Sequence, residues 1–288
     1  MYRYGLLRTA SILYTLKQLR VAITIIYNGL HHLTHKGFCE FMTKNFDYWV
    51  VVEGSSRNGG STSWCKPIKL PHSSEDGTVE FMKDWAARHD NVLFYTHHKH
   101  YLSKDEQFNK GIVLLKTVTN KAYLWQVDAD EHWTAQDMEM AERRLWRSAS
   151  NVAAFQFNHY IKEDLIALGD WGSSRVNRLW KWSGQLFESH EPAVMQGQTK
   201  PIELDPRFDH YSMVFAQDVK FKSRYYRGHE MIYLNWCKLD DRNDYPIHIS
   251  NLFGKHCEVG RSDSYLYKIT DSCVNVPNHA SQNADIKC

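Results

Sequence analysis

The chain has 288 residues, enough for one large domain or two small ones. With 43% hydrophobic and 24% charged residues it has the composition of a packed globular protein, which excludes a disordered or fibrous chain. Its 35 Lys and Arg against 33 Asp and Glu leave a formal net charge of +2. No diffuse positive field is available for nucleic acid or an anionic membrane, so any bound anion must be met by a few placed groups.

Residues 1–20 carry Arg3, Arg8, Lys17 and Arg20 without a clean apolar core or a cleavage site, and read as an N-terminal extension and not as a signal peptide. Residues 21–27 form a continuous β-branched run ending at Asn28-Gly29, the pattern of a strand buried on both faces. A helix is predicted over 30–46, from the spacing of Leu30, Leu33, Phe38, Phe41 and Met42. A second buried strand over 48–52 closes in Glu53-Gly54-Ser55-Ser56 and a Gly/Ser-rich loop. A helix over 78–88, a strand over 92–95, a helix over 105–121 and a strand over 122–127 follow. This alternation predicts a doubly wound α/β sheet over 21–133, with ligands at the carboxyl ends of the strands: Tyr27-Asn28, Glu53-Gly54-Ser55 and Asp128-Ala129-Asp130.

After Glu131 the character changes. An amphipathic helix is predicted over 135–149 and short aromatic strands over 152–160, 178–182 and 215–226, making 134–254 a second half of the same domain. Residues 255–288 lose periodicity and read as a loosely packed tail. Adjacent His31/His32 and His97/His98 point to opposite sides of any strand, and no His-x-x-x-His stands on a convincing helix, so the 16 His read mostly as surface or core residues. The six cysteines contain no Cys-x-x-Cys, and the longest apolar runs fall far short of the ~20 residues of a membrane span. The expectation is a soluble cytoplasmic protein with reduced thiols.

The sharpest local signal is Asp128-Ala129-Asp130 at the end of a hydrophobic strand. Two carboxylates two residues apart can face one side of the sheet edge and hold Mg²⁺ or Mn²⁺ while leaving coordination positions for diphosphate oxygens. A solvated acidic turn is the plain alternative. A calcium loop is excluded because Trp133 stands at the sixth position from Asp128, where such a loop needs Gly.

In this setting the chain resembles the nucleotide-sugar glycosyltransferases of the GT-A fold, most closely family 2. The residues that carry the resemblance are Ile23-Thr-Ile-Ile-Tyr-Asn28, then Asp47 through Glu53-Gly-Ser55-Ser56, then Asn109-Lys110-Gly111 and Val127-Asp128-Ala-Asp130-Glu131. In the second half they are Arg175-Val-Asn-Arg178-Leu-Trp, Ser189-His190-Glu191-Pro192 and Asp209-His210-Tyr211. The resemblance spans about residues 21–236. It departs from the family at Glu53, where Asp is usual, and in lacking the catalytic Glu-Asp dipeptide after the Asp-x-Asp element.

The resemblance implies a Rossmann-like, mostly parallel sheet whose first half binds a nucleoside-diphosphate sugar, with a UDP-sugar favoured, and whose aromatic-rich second half binds a carbohydrate acceptor. It implies that Thr24, Tyr27 and Asn28 line the nucleotide pocket, with Ser55 beside it, and that Glu53 accepts hydrogen bonds from the base or ribose. Asn109 and Lys110 would lie beside the nucleotide, Asp130 would bind Mn²⁺ or Mg²⁺, and Asp128 would bind ribose or the metal. His210 would be a third metal ligand, or else a core histidine. Glu191 is the first choice for the base that deprotonates the acceptor, with Glu188 and Asp209 in reserve; an ion pair with Arg175 or Arg178 is the competing role for Glu191. Lys222, Arg224 and Arg227 form a basic cluster suited to diphosphate or else a solvated strand face, and Trp171, Trp180, Trp182 and Trp236 suit an acceptor platform, though some of them must be core. The implied activity is an inverting hexosyl or pentosyl transfer. A nucleotidylyltransferase and a non-catalytic nucleotide-sugar or carbohydrate-binding protein are the alternatives.

Overall fold

A computed structural model of the chain describes residues 18–57, 68–168, 174–226, 231–249 and 257–263. The β-branched run of the first half becomes β1 (Arg20–Ile26), and β2 (Tyr48–Glu53) lies parallel beside it, Val21 opposite Tyr48 and Ile26 opposite Glu53. β3 (Val92–Tyr95) extends the sheet parallel to β2, and β4 (Ala122–Gln126) pairs parallel with β1 on its other side. Val21, Ala22, Ile23, Val50, Val51 and Val52 are fully buried, as strands covered on both faces must be.

The helices supply those covers. The predicted helix over 30–46 is broken into α1 (Leu30–Leu33), a 3₁₀ turn at His35–Gly37 and α2 (Phe38–Asn45). Lys36 and Gly37 both adopt left-handed backbone, with φ of 45° and 71°, and a right-handed helix cannot run through two such residues. α3 (Thr78–Arg88) lies over 78–88 as expected, and α4 (Lys104–Leu115) stops six residues earlier than the apolar spacing suggests. α4 packs Phe108, Ile112 and Leu115 against Ile23, Val50 and Val52. Gly111 permits this approach, since a Cβ there would meet Ile23 Cγ2 at 2.8 Å. On the opposite face α2, α3 and α5 (Ala135–Arg147) bury Met42, Met82 and Met138 against Ala22, Trp49 and Val51. Glu142 of α5 forms a bidentate pair with Arg20 at 2.6 and 2.7 Å and accepts from the Trp125 indole, pinning the helix to β1 and β4.

The second half continues the same sheet instead of starting another. β5 (Glu131–His132) is short; β6 (Val152–Lys162), β7 (Leu165–Leu168) and β8 (Arg175–Trp182) follow. β8 sits antiparallel between β4 and β6, so the order runs β3-β2-β1-β4-β8-β6. A small hairpin of β9 (Phe187–His190) and β10 (Ala193–Met195) stands apart from the sheet. β11 (Ile202–His210) lies parallel to β6 and antiparallel to β5, with a register shift between Leu204 and Arg207.

Residues 215–226 are not a strand: they form α6 (Ala216–Tyr225). Their aromatic content suggested β structure, but Phe215, Val219, Lys222 and Tyr226 recur at four, three and four residues, which is one face of a helix. α7 (Ile232–Cys237) follows. β12 (Ile247–Ile249) and β13 (Cys257–Arg261) complete the edge, β13 pairing antiparallel with β7 although it falls in the stretch expected to be an aperiodic tail. The architecture is a Rossmann-like α/β sheet, parallel in its first half, with helices on both faces. No helix among the described residues is long and apolar enough to cross a membrane.

Candidate active site

The carboxyl ends of β1, β2 and β4 open into a cavity of about 400 Å³, within the size range of small-molecule sites. The β1 end contributes Tyr27 and Asn28. Asn28 is left-handed, with φ 49°, and is held there by its Oδ1 accepting from the Glu75 amide at 2.8 Å and its amide donating to Ser74 Oγ at 2.8 Å. The β2 end contributes Gly54, Ser55 and Ser56. Gly54 has φ 137° and a Cβ there would lie 2.9 Å from the Tyr101 ring, so only glycine fits. Ser55 Oγ bonds the Pro71 carbonyl at 2.6 Å and His100 Nδ1 at 2.8 Å.

The β4 end brings Asp128 and Asp130 to the wall, and β8 brings Arg178 to meet them. Arg178 Nη2 lies 2.7 Å from Glu131 Oε1 and 3.2 Å from Asp128 Oδ2. Burial pushes the Glu131 carboxyl up to about 7 despite Arg178, and raises Asp128 in the same way. Asp130 goes the other way. Burial would raise it, but His210, with Nε2 3.4 Å from Asp130 Oδ2, together with His32 and Lys222 holds it well below the usual carboxylate range. Asp130 is therefore ionised while its neighbours are biased toward neutrality, and His210 Nδ1 is buried with no hydrogen-bond partner among the described residues.

The remaining wall comes from α4, the β9–β10 hairpin and α6. Lys104 and Gln107 project from α4, Gln107 donating to the Val52 and Gly54 carbonyls at 2.8 and 3.0 Å. His190 and Glu191 come from the hairpin. Lys222 of α6 reaches the wall and donates to the Ser212 carbonyl, and burial lowers its pKa. The cavity thus brings together Tyr27, Asn28, Ser55, Asp128, Asp130, Glu191, His210 and Lys222.

Other predicted site residues lie elsewhere. Thr24 is fully buried one layer behind the wall, its Oγ1 donating to the Val127 carbonyl at 2.7 Å and accepting from the Trp49 indole at 2.9 Å. Glu53 is also fully buried, and its carboxylate is consumed by Ser74 N–H at 2.6 Å, Ser73 Oγ at 3.0 Å and Thr96 Oγ1 at 2.6 Å. It holds the loop that positions Asn28 and does not itself reach the cavity. Asn109 fastens the hairpin by a two-way bond with the Phe187 backbone at 2.9 and 2.7 Å, and Lys110 lies over the Tyr95 ring at 4.3 Å. The residues of α4 that do face the site, Lys104 and Gln107, stand three residues apart, a helical spacing that was present in the sequence.

Of the three candidate bases, only Glu191 lines the cavity. Glu188 of the hairpin is exposed and does not line the cavity. Asp209 alternates with His210 along β11, so it faces away from the cavity, where Asn158 Nδ2 donates to it at 2.9 Å. Trp180, Trp182 and Trp236 are core residues, the Trp236 indole donating to the Ile161 and Met213 carbonyls at 2.7 Å. They form no acceptor platform. Arg224 is exposed away from the wall, and Trp171 and Arg227 lie outside the described residues.

Sequence reasoning missed a cluster at the cavity's edge. His31 and His32 occupy a helix, not a strand, and both reach Asp218 of α6: His31 Nε2 lies 3.0 Å from each carboxylate oxygen, and His32 Nε2 2.8 Å from Oδ2. Burial would raise the Asp218 carboxyl, but the two imidazoles hold it down to about 2.

No protein-family model matches the chain, and no curated protein does. Among solved structures, S. aureus TarS 1–349 shares 14% identity at a TM-score of 0.34, covering 48% of this chain and 35% of that one. The same TarS fragment in complex with UDP shares 10% at 0.38, covering 72% and 65%. A 4-diphosphocytidyl-2C-methyl-D-erythritol synthase shares 14% at 0.33, covering 59% and 78%. The chain thus spans about a third of the length of the first of these.

Proposed function

We propose that the chain is a metal-dependent glycosyltransferase that moves a sugar from a nucleoside-diphosphate sugar to a carbohydrate hydroxyl with inversion. The observation that carries this reading is the composition of one cavity wall: Asp128 and Asp130 at a strand end, faced by Arg178, Lys104 and Lys222, with the single candidate base Glu191 beside them. A neutral or purely cationic pocket would suit many ligands. Paired carboxylates beneath three cations suit a divalent ion and a diphosphate together.

The donor set fits the metal. Asp130 is held well below the usual carboxylate range and lies beside His210, and its carboxylate with that of Asp128 suits Mn²⁺ or Mg²⁺. Asp130 and His210 would hold the ion and Asp128 would complete the set, the bound ion neutralising charge that builds on the leaving diphosphate. Arg178 and Lys222 add fixed positive charge at the same end. Tyr27, Asn28 and the Gly54–Ser56 backbone line the end that suits the nucleoside, and a UDP-sugar is the favoured donor. At the other end Glu191 takes the proton of the attacking acceptor hydroxyl as the bond from the sugar to the diphosphate breaks, a single displacement that inverts the anomeric centre.

The free thiols of Cys39 and Cys237 fit the reducing, cytoplasmic setting we propose for it. A panel of nucleotide sugars with Mn²⁺ and simple glycan acceptors tests the reading by the release of nucleoside diphosphate. Donor-dependent release that stops in excess chelator is expected. Full release in chelator overturns the metal dependence, and tight donor binding without release, acceptor present, overturns the enzyme.

A further inference from the structure

We propose that His31, His32 and Asp218 form a second metal site, distinct from the Asp-x-Asp element, that takes a transition-metal ion, Zn²⁺ first. The three residues come from sequence positions 187 apart and are brought together only by the docking of α6 against α1. Their ligand atoms all lie within 4.8 Å of one another. Both imidazoles present Nε2 to the same carboxylate, their rings 4.3 Å apart and tilted by 41°.

Two of the three ligand separations are near those of a tetrahedral ion, and the two imidazole nitrogens, within 4.8 Å of each other, would draw together on binding it. Bonds near 2.1 Å set tetrahedral ligands roughly 3.4 Å apart. The nitrogen-to-oxygen separations of 2.8 and 3.0 Å therefore need to widen by only a few tenths of an ångström. Two imidazole nitrogens and one carboxylate oxygen are a zinc donor set, whereas Mg²⁺ and Ca²⁺ prefer oxygen alone. Three protein ligands leave a fourth position for water or an anion, and His32 and Asp218 both line the cavity, so that position faces the space where an anionic ligand would sit.

The surroundings are those of a held site. The Phe215 ring packs edge-on against both imidazoles, at 4.8 and 5.1 Å, excluding water from one side. The Gln217 side-chain amide meets His31 Nδ1, the nitrogen that does not face Asp218. With the amide turned so that its oxygen accepts from Nδ1–H, the Nε2 lone pair is directed at the ion, the outer-shell arrangement metal-binding histidines usually have. Without an ion the same three residues make a hydrogen-bonded clasp between α1 and α6, and the two roles part in what they do with zinc.

The full chain, stripped with chelator and returned to a non-chelating buffer, is titrated with ZnCl₂ by calorimetry, and with Co²⁺ by visible absorption. Wild type should bind one Zn²⁺ at this site, gain thermal stability with zinc concentration, and show the absorption of tetrahedral cobalt. His32→Gln and Asp218→Asn should lose the zinc-dependent gain and the cobalt spectrum, and Gln217→Ala should weaken zinc binding by about 10–100-fold. Asp130→Ala should keep both. Melting of each metal-free variant reports whether it is folded, and His31→Gln serves if Asp218→Asn is not. Unchanged zinc affinity in folded His32→Gln and His31→Gln overturns the proposal, as does its loss in Asp130→Ala. The readout is metal binding alone, so it stands or falls separately from sugar transfer.

Discussion

The two halves of the sheet contribute to one cavity by different means. In the first, parallel strands end together and present consecutive loop residues, so Tyr27-Asn28, Gly54-Ser55-Ser56 and Asp128-Ala129-Asp130 reach the wall as short local segments. In the second, contributors come from unlike elements: Arg175 to Arg178 from an antiparallel strand, His190 to Ala193 from a detached hairpin, His210 from the end of β11 and Lys222 from α6. A parallel sheet places its ligand end by topology alone. An antiparallel half has no common end, and each side chain depends on its own register.

The largest expected effect breaks the site where the halves meet. Asp130→Ala should abolish nucleotide-sugar turnover while its melting temperature stays near wild type, because the residue stands in a loop beyond β4; retained turnover would remove Asp130 from the chemistry. Next, Glu191→Gln should reduce transfer by about 10²–10⁴ with donor affinity kept. Glu188→Gln and Asp209→Asn, whose residues do not line the cavity, should transfer at near wild-type rates. A rate loss confined to Asp209→Asn would assign the base to the opposite face of β11.

A smaller effect tests the first half. Glu53→Gln should cost about 1.5–3 kcal/mol of stability in chemical denaturation, since a buried carboxylate accepting three hydrogen bonds is replaced by a neutral amide. Unaltered stability with weakened nucleotide binding would instead make Glu53 a ligand contact. The smallest effect is a pH slope from the second half. His190 stacks on Phe108 at 5.2 Å, and burial, with Lys104 and Arg178 nearby, depresses its pKa well below 6.5. The unfolded chain then binds a proton that the folded chain refuses, so this contribution is complete above about pH 6.5 and is lost as pH falls below it. Denaturant midpoints of wild type and His190→Phe, compared at neutral and mildly acidic pH, should converge or cross as the variant loses that slope; parallel slopes would mean His190 titrates normally.

The α/β class, the strands at 20–26, 48–53, 92–95 and 122–126, and the Asp128–Asp130 element were all legible in the sequence. Each is encoded locally: β-branched runs bury strands on both faces, and a strand's last residues must lie at its end. Glu191 was singled out through the resemblance carried by the residues around it, and the structure places it on the cavity wall. What only the tertiary structure decided was direction. Asp209 and His210 are neighbours in the chain, yet the register of β11 against β5 and β6 sends one away from the cavity and the other into it. Glu53 and Asn109 are spent on a loop and a hairpin that packing brings to them. His31 and His32 look like opposite faces of a strand until a four-residue helix and the docking of α6 turn both toward Asp218. Period and composition act within a few residues, whereas a side chain's partner is chosen by elements up to 187 residues away.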